Sequence, residues 1–275
     1  MDTIIQILAR ELGRSEAHVE NVVRLIDEGN TIPFIARYRK EATGGIDDAT
    51  LRDLDERLAY LRNLEARKDE VLRAIEEQGK LTADLRAKID EAKVMQRVED
   101  LYKPYRKKRA TRASKARDAG LEPLALLILA QGRSAKDPLA LAAGLVNPEA
   151  GYPTPEDALQ GAQDIVAEVI ADDAEHVACL RAAAKRNGAL SVEAVDASEK
   201  TAYEAYYDFS EPLSRIPNHR ILAVNRGEKE KKLKVKVRTD ADAAISQLER
   251  RILRGDGPFA ALLKAAIADG YKRLI

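Results

Sequence analysis

Apolar residues recur every three or four positions along most of the chain, which is the spacing of one face of an α-helix. In one short segment Ser15 is placed to cap a helix, and Gly29 follows its last turn. The apolar positions of this segment are Val19, Val22, Val23 and Ile26. Many segments of this kind follow one another, so the sequence predicts a mainly α fold.

The most regular segment begins at Asp47 or Asp48 and stops before Gly79. Its apolar positions are Leu51, Leu54, Leu58, Leu61, Leu64, Val71, Leu72 and Ile75. About 30 helical residues at a rise of about 1.5 Å each would give a rod of roughly 45 Å. Because heptad spacing holds for only about two repeats, the pattern favours the spine of a helical scaffold over a coiled-coil arm.

Further helix boundaries are marked by capping residues and prolines. Thr82 predicts the start of a helix that continues to Pro104. Thr154 followed by Pro155 predicts the start of another, because proline is favoured at the first helical position. Pro258 predicts the start of a last helix near the end of the chain.

The helical spacing of apolar residues is lost in the segment "RILAVNRGEKEKKLKVKVR". Two runs have strand character, 221–224 and 233–237, with Gly227 in the polar turn between them, which predicts a small β-hairpin near residues 220–238. Apolar residues of the second run alternate with Lys232, Lys234, Lys236 and Arg238. Such a cationic face could follow a phosphate backbone, but an edge strand protected from aggregation by lysine is the favoured interpretation.

The overall charge, the length of the apolar runs and the cysteine count limit the classes of protein to which the chain can belong. Forty-six basic and 46 acidic residues cancel, so net charge suggests no partner. No apolar run approaches the roughly 20 residues that span a bilayer, and the start "MDTIIQILARELG" is typical of an amphipathic helix rather than a signal peptide. A single cysteine, Cys179, excludes an internal disulfide and a multi-cysteine zinc site. We expect a soluble, cytoplasmic protein without contact to a membrane.

One stretch departs from this charge balance. "YKPYRKKRATRASKAR" runs from Tyr102 to Arg117 and contains no acid. Its eight cations are Lys103, Arg106, Lys107, Lys108, Arg109, Arg112, Lys115 and Arg117. Cations so close together repel one another, whereas phosphates of RNA or DNA would neutralise them, and Tyr105 lies where it could stack on a base. The stretch predicts sequence-independent nucleic-acid binding.

Two other interpretations of this stretch stay open. The long Lys and Arg stems could cover a helical core closed by Leu101 and Tyr102, with their charges in water or paired with acids of neighbouring helices. Alternatively, the stretch could dock on an acidic protein such as RNA polymerase without touching nucleic acid.

Catalytic signatures are weak. His18, His176 and His219 are far apart and none lies in a metalloprotease motif. The acids and imidazole of "ADDAEH" would point to several faces of a helix, and acids at a helix start explain them more simply. No glycine-rich phosphate loop follows a strand. We expect a protein that is not an enzyme and has neither a cofactor nor a metal site.

Three separate stretches carry a combined signature: "IPFIARYRKEATGGID", "EDLYKPYRKKRATRASKARDAGLEPLA" and "EPLSRIPNHRILAVNRGEKEKKLKV". Together they resemble the N-terminal half of the Tex family, bacterial transcription accessory proteins related to a eukaryotic transcription-elongation factor and histone chaperone. The resemblance runs from Met1 to about Ile275. It implies an elongated, mostly helical scaffold with a helix-turn-helix-like unit near the N-terminus, associated with transcription and nucleic acid.

The resemblance also implies a place in a larger protein. Family members continue into an RNase H-like domain, helix-hairpin-helix motifs and a C-terminal OB-fold, which we expect to be partners of this region. We expect two helical regions here, residues 1–120 with the helix-turn-helix-like unit and the long helix, and residues 121–275 with the β-hairpin.

Two smaller basic groups are further candidates. Arg220 and Arg226 lie in "PNHRILAVNRGE", where a role in the fold or in an interface is favoured over phosphate contact. Arg37, Arg39 and Lys40 lie where a helix-turn-helix would present its second helix to a groove. That segment is short for a recognition helix, so pairing with acids of the long helix is the favoured interpretation.

Overall fold

A computed structural model of the chain describes residues 3–106, 109–132 and 137–274, and these form a mainly α-helical structure. The predicted fold class is therefore confirmed. By its contacts the chain divides into two compact units, Met1–Tyr105 and Arg106–Ile275. The expected division into residues 1–120 and 121–275 stays a prediction. Within the described residues, no helix has both the length and the apolar character needed to cross a bilayer.

The first unit is built on its longest helix. Its helices are α1 (Ile4–Leu12), α2 (Glu16–Asp27), α3 (Ile32–Tyr38), α4 (Asp48–Glu76), α5 (Ala83–Asp90) and α6 (Met95–Tyr102). The Asp47 side chain accepts a hydrogen bond from the Thr50 amide at 2.9 Å and caps α4, as predicted. The leucine row of α4 is buried, and α1, α2 and α3 pack against it. The long helix is therefore the spine of this unit.

Two pairs of charged side chains hold α1 and α2 on this spine. The Arg57 guanidinium binds both carboxylate oxygens of Glu11 at 2.7 Å, and Arg62 binds those of Asp27 at 2.7 and 2.8 Å. Hydrogen bonds from these arginines lower the pKa of the Glu11 carboxyl and of the Asp27 carboxyl below their ordinary values of 4.5 and 3.8. The carboxylates are more stable ionised in the folded unit than in the unfolded chain.

The single helix predicted from Thr82 to Pro104 is wrong, because the chain forms two helices there. Thr82 does cap α5, accepting from the Leu85 amide at 3.2 Å, but α5 ends at Asp90. The next helix, α6, starts at Met95, whose amide donates to the hydroxyl of Tyr60 on α4 at 3.0 Å. A contact with α4 thus satisfies a donor at the start of α6.

The second unit is organised around one buried helix. Its helices are α7 (Arg112–Asp118), α8 (Glu122–Ala130), α9 (Pro138–Ala143), α10 (Pro155–Asp172), α11 (Ala174–Asn187), α12 (Asn218–Lys229), α13 (Ala241–Ile252) and α14 (Ala260–Leu274). Thr154 caps α10 through a reciprocal capping box with Asp157, as its sequence predicts. α7, α8, α9 and α14 pack against α10, which contributes more buried residues to the core of this unit than any other of its helices.

A small antiparallel sheet lies between these helices in the chain. Its strands are β1 (Ala189–Ala194), β2 (Asp208–Pro212) and β3 (Leu233–Arg238), in the order β2-β1-β3. Val192 of β1 lies opposite Phe209 on one side and Val235 on the other, which places the three on one face. β3 is an edge strand with Lys234 and Lys236 exposed, which fits the interpretation of a protected edge.

The predicted hairpin near residues 220–238 is wrong in its first half. Residues 221–224 belong to helix α12, and β3 pairs with the distant β1 instead. Helical spacing buries Val224 and half-buries Ile221, which pack with the sheet residues, while Leu222 stays 69% exposed. In a strand, Ile221 and Ala223 would point to one face, and Leu222 and Val224 to the other. Packing against the sheet decided the local structure.

We predict that lowering the pH weakens the arginine pairs of the first unit. Because the folded pKa values of Glu11 and Asp27 are lowered, the pairs stabilise the unit above the unfolded values of 4.5 and 3.8 and lose this contribution as pH falls through the folded values. The variant Arg57→Gln/Arg62→Gln should lose less unfolding free energy between about pH 6 and about pH 3. Denaturant titrations at each pH measure this, and Lys93→Gln should retain the parent slope.

We predict that Gly227→Ala destabilises the second unit by about 1–3 kcal/mol through overpacking. A Cβ atom at this buried helical position would lie 2.5 Å from Leu233 Cδ1 and 3.2 Å from the Tyr203 ring. Denaturant unfolding followed by circular dichroism measures the change. Gly257→Ala is the matched control, since nothing lies within 4 Å of the added atom there. Equal stability of the two variants would contradict close packing of α12 on β3.

Candidate nucleic-acid interface

The basic stretch from Tyr102 to Arg117 does not form one continuous element. Its first part ends α6 and continues in a short 3-10 turn, Lys103–Tyr105, whose last carbonyl accepts a hydrogen bond from Gln78 at 3.0 Å. The two compact units meet in sequence between Tyr105 and Arg106. Lys107 and Lys108 lie outside the described residues. The remaining cations are Arg106, Arg109, Arg112, Lys115 and Arg117.

Part of this charge serves the interior of the second unit. α10 carries Asp164, Glu168 and Asp172 one turn apart, and all three are buried although they are acids. Arg117 of α7 donates to Glu168 at 2.7 Å, and the Thr111 hydroxyl donates to the other oxygen of Glu168 at 3.0 Å. The cap of α7 and its last turn are thus bound to the same buried carboxylate.

A second arginine of the stretch, Arg112, pairs with Asp164, the buried acid one turn before Glu168 on α10. Arg112 lies 3.4 Å from Asp164 and 3.2 Å from Asp269 of α14. Arg273 of α14 binds the same two carboxylates, at 3.0 and 2.5 Å. Four charged side chains therefore join α7, α10 and α14. Arg112 and Arg117 thus pair with acids of neighbouring helices, as that alternative expects, although the Arg112 side chain stays 63% exposed.

The other cations of the stretch differ in their surroundings. Lys103 and Arg106 each have an interaction partner in the chain. Arg109 and Lys115 are exposed, and among residues 3–106, 109–132 and 137–274 no carboxylate forms an ion pair with either of them. Lys115 lies on α7 between the buried Ala113 and Ala116, so the helix itself fixes its position. These two side chains remain available to an anionic ligand.

Tyr102 and Tyr105 are half-buried. The Arg67 guanidinium lies over the Tyr102 ring at 5.5 Å from its centre, so a base could not stack on that face. Stacking on Tyr105 stays a prediction.

The secondary candidates are partly used in the fold. Arg220 donates to Glu211 of β2 at 2.7 Å and lies over the Phe209 ring, which ties α12 to the sheet. Lys232 pairs with Glu199 at 2.5 Å. Arg226, Lys234 and Lys236 are exposed. The favoured role of Arg220 in the fold agrees with these contacts, whereas phosphate contact along β3 stays a prediction.

The expected pairing of Arg37, Arg39 and Lys40 with acids of α4 is wrong. All three are exposed, and in the described part of the chain none of them forms an ion pair. α3 ends at Tyr38, so Arg39 and Lys40 lie in the turn that follows it. Arg39 instead lies 5.5 Å from the centre of the Phe34 ring. The sequence already contains a signal for this contact, because Phe34 and Tyr38 lie four positions apart, on one face of a helix, next to the three cations.

The acids of "ADDAEH" have a local explanation. Asp173 caps α11 by accepting from the amides of Glu175 and His176 at 2.8 and 2.9 Å. Over the residues that the structure describes, no group of His, Cys, Asp or Glu side chains has the arrangement of a metal site.

Comparison with known proteins places the chain in one family. The family model for the Tex-like protein N-terminal domain matches residues 2–76, and the one for the Tex central region matches residues 133–256. Protein tex of Bordetella pertussis is 48% identical over 241 residues, which cover 87% of this chain and 30% of the relative. Transcriptional accessory protein Tex of Neisseria gonorrhoeae is 44% identical over 277 residues, covering 98% and 35%.

A human protein is also similar. S1 RNA-binding domain-containing protein 1 of Homo sapiens is 30% identical over 243 residues, which cover 85% of this chain and 24% of the human protein. The chain thus spans well under half the length of each of these relatives.

We predict that two cations on α7 differ in their effect on stability. Arg117→Ala should lower the free energy of unfolding by on the order of 2 kcal/mol, because it removes the arginine that pairs with the buried Glu168 carboxylate at 2.7 Å. Lys115→Ala, on the same helix, should change it by no more than about 0.5 kcal/mol. Denaturant unfolding measures both. Similar losses for the two variants would show that the arginine does not serve the interior.

Proposed function

This chain belongs to the Tex family, to whose N-terminal region it corresponds, and we propose that it is a non-enzymatic helical scaffold that adds sequence-independent contacts to RNA or DNA. A role in transcription follows from the family. The observation that carries the nucleic-acid contact is the exposure of Arg109 and Lys115 without a carboxylate partner among the described residues. Arg112 and Arg117 of the same stretch, in contrast, already pair with buried acids of α10.

The mechanism is charge neutralisation. Each phosphate that a lysine or arginine neutralises releases condensed counterions, which makes binding favourable at low salt and weaker at high salt. Arg109 and Lys115 would bind phosphates together with Lys107 and Lys108, which adjoin Arg109 in sequence. Phosphate contacts carry no base information, so the binding would not discriminate between sequences.

The family supports the choice of ligand. One relative is named for an S1 RNA-binding domain, and others are named as Tex transcription proteins. In the whole protein this region would hold further nucleic-acid-binding modules in place, in the cytoplasm, and the exposed cations would extend their contact with the strand. Docking on an acidic protein such as RNA polymerase is the competing outcome of the test below.

We predict that Arg109→Glu/Lys115→Glu weakens binding of the 275-residue chain to RNA or DNA. At about 50 mM salt the dissociation constant should rise by roughly tenfold or more, and the slope of log K against log salt should fall by about 0.7 for each lost phosphate contact with a single strand. Fluorescence anisotropy with labelled oligonucleotides measures both quantities.

The matched control for this experiment is Lys80→Glu/Lys264→Glu, which makes the same charge change at exposed lysines elsewhere. It should leave the salt slope near that of the parent chain. Binding of the parent that is no tighter at about 50 mM than at about 200 mM salt would refute phosphate contact. Loss of RNA polymerase binding with unchanged RNA binding in the Arg109/Lys115 variant would assign these cations to a protein partner.

A further inference from the structure

Two aromatic side chains lie together on the outer face of α3. The ring centres of Phe34 and Tyr38 are 5.2 Å apart, with the ring planes inclined by 44°. Phe34 is 37% exposed and Tyr38 is 61% exposed. The chain has only three Phe and no Trp; Phe259 is buried, and Phe209 packs in the cluster under the sheet. Burial in a core therefore does not account for the aromatic pair on α3.

Three cations adjoin these rings in sequence. Arg37 and Lys40 are exposed, and the Arg39 guanidinium lies 5.5 Å from the centre of the Phe34 ring. None of the three has an ion-pair partner within the described residues. We call Phe34, Arg37, Tyr38, Arg39 and Lys40 the α3 surface. It combines exposed π faces with positive charge that the folded unit does not neutralise.

The backbone that carries this surface is held in place. Ile35 is fully buried in the core of the first unit and anchors α3. In the following turn the Thr43 amide donates to the Arg39 carbonyl at 3.1 Å, and the Gly45 amide donates to the Lys40 carbonyl at 2.8 Å. Asn21 of α2 also donates to the Ala42 carbonyl at 3.0 Å. A ligand would therefore bind here without first ordering the backbone.

The chemistry of the α3 surface selects one class of ligand. An apolar partner helix would bury three cations without counter-charges, which is unfavourable. An acidic protein surface would neutralise the cations but leave the ring faces without a flat partner. A single-stranded nucleic acid supplies both groups, because its unpaired bases stack on aromatic rings and its phosphates pair with Arg and Lys. In a duplex the bases are already stacked on one another and cannot reach the rings.

We propose that the α3 surface binds single-stranded RNA or DNA. One unpaired base stacks on the exposed ring of Tyr38, which packs against Phe34, while Arg37, Arg39 and Lys40 contact the adjoining phosphates. The inference rests on the proposed function in that the ligand is a nucleic acid, but it assigns a different set of residues, in the other compact unit, and a different kind of contact. It also implies a preference for single strands that charge neutralisation alone does not provide.

The absence of tryptophan permits a direct test of stacking. Tyr38→Trp introduces a single indole on the α3 surface, and its fluorescence should be strongly quenched when an unstructured oligouridylate or oligothymidylate binds to the 275-residue chain. Leu222→Trp is the matched control, because Leu222 is exposed on α12 far from this surface in sequence. Its emission should change little. Equal quenching of both probes, or of neither, overturns the proposal.

Affinity measurements provide the second arm. Phe34→Ala/Tyr38→Ala should weaken binding to either single strand by roughly tenfold or more, because it removes the aromatic ring on which a base stacks. Tyr38→Phe should retain the affinity, and binding to a duplex of the same length should be nearly unchanged. Circular dichroism checks that the variants fold, which we expect because both side chains are exposed.

The outcomes separate the two proposals. If Arg109→Glu/Lys115→Glu weakens binding while the Phe34/Tyr38 variant binds single strands like the parent, the α3 surface is not a binding site and the proposed function stands. If only the Phe34/Tyr38 variant loses affinity, the α3 surface is supported and the role of Arg109 and Lys115 fails. A parent chain that binds no single strand at low salt overturns both.

Discussion

The second unit depends on the neutralisation of acids that its central helix buries. A carboxylate removed from water is costly unless it is paired and hydrogen-bonded. Asp164 and Glu168 of α10 are 6% and 8% exposed, and arginines of two other helices meet them. Because Arg117 comes from α7 and Arg273 from α14, the requirement for counter-charge fixes three helices that are far apart in sequence. The same requirement determines which cations of the basic stretch are left for a ligand.

The choice of arginine at these positions has a geometric reason. A guanidinium group is planar and donates in several directions, so one arginine can serve two acids, whereas a lysine is a compact point charge. Arg112 and Arg273 each contact both Asp164 and Asp269. Lys115 lies between Arg112 and Arg117 on the same helix, but no carboxylate of the described residues forms an ion pair with it. Three cations within six positions thus have two different roles, and a count of positive charge does not separate them.

Local signals in the sequence predicted much of the fold. The caps at Asp47 and Thr154 depend on side chains within three residues, and both helices begin where the sequence indicates. The strand predicted at residues 221–224 is wrong. Packing on a sheet whose first strand begins at Ala189, far away in sequence, decides that these residues form a helix. The pair Arg117–Glu168 spans 51 positions, so its existence could not be inferred from the basic stretch alone. The sequence therefore indicates where the positive charge of the candidate site lies, but not which of these cations pair with acids in the fold.

In the first unit, too, some cations pair with acids of the fold while those of the α3 surface do not. There the arginines of α4 pair with Glu11 and Asp27, which are acids of α1 and α2, and these contacts hold the helices on the spine. The cations of α3 and its turn have no such task and stand beside exposed rings. The whole chain is neutral, so its net charge gives no hint of a polyanionic ligand. A polyanionic ligand is indicated instead by the cations that have no acid beside them in the fold. Only such an unpaired cation gains a new counter-charge when a phosphate binds.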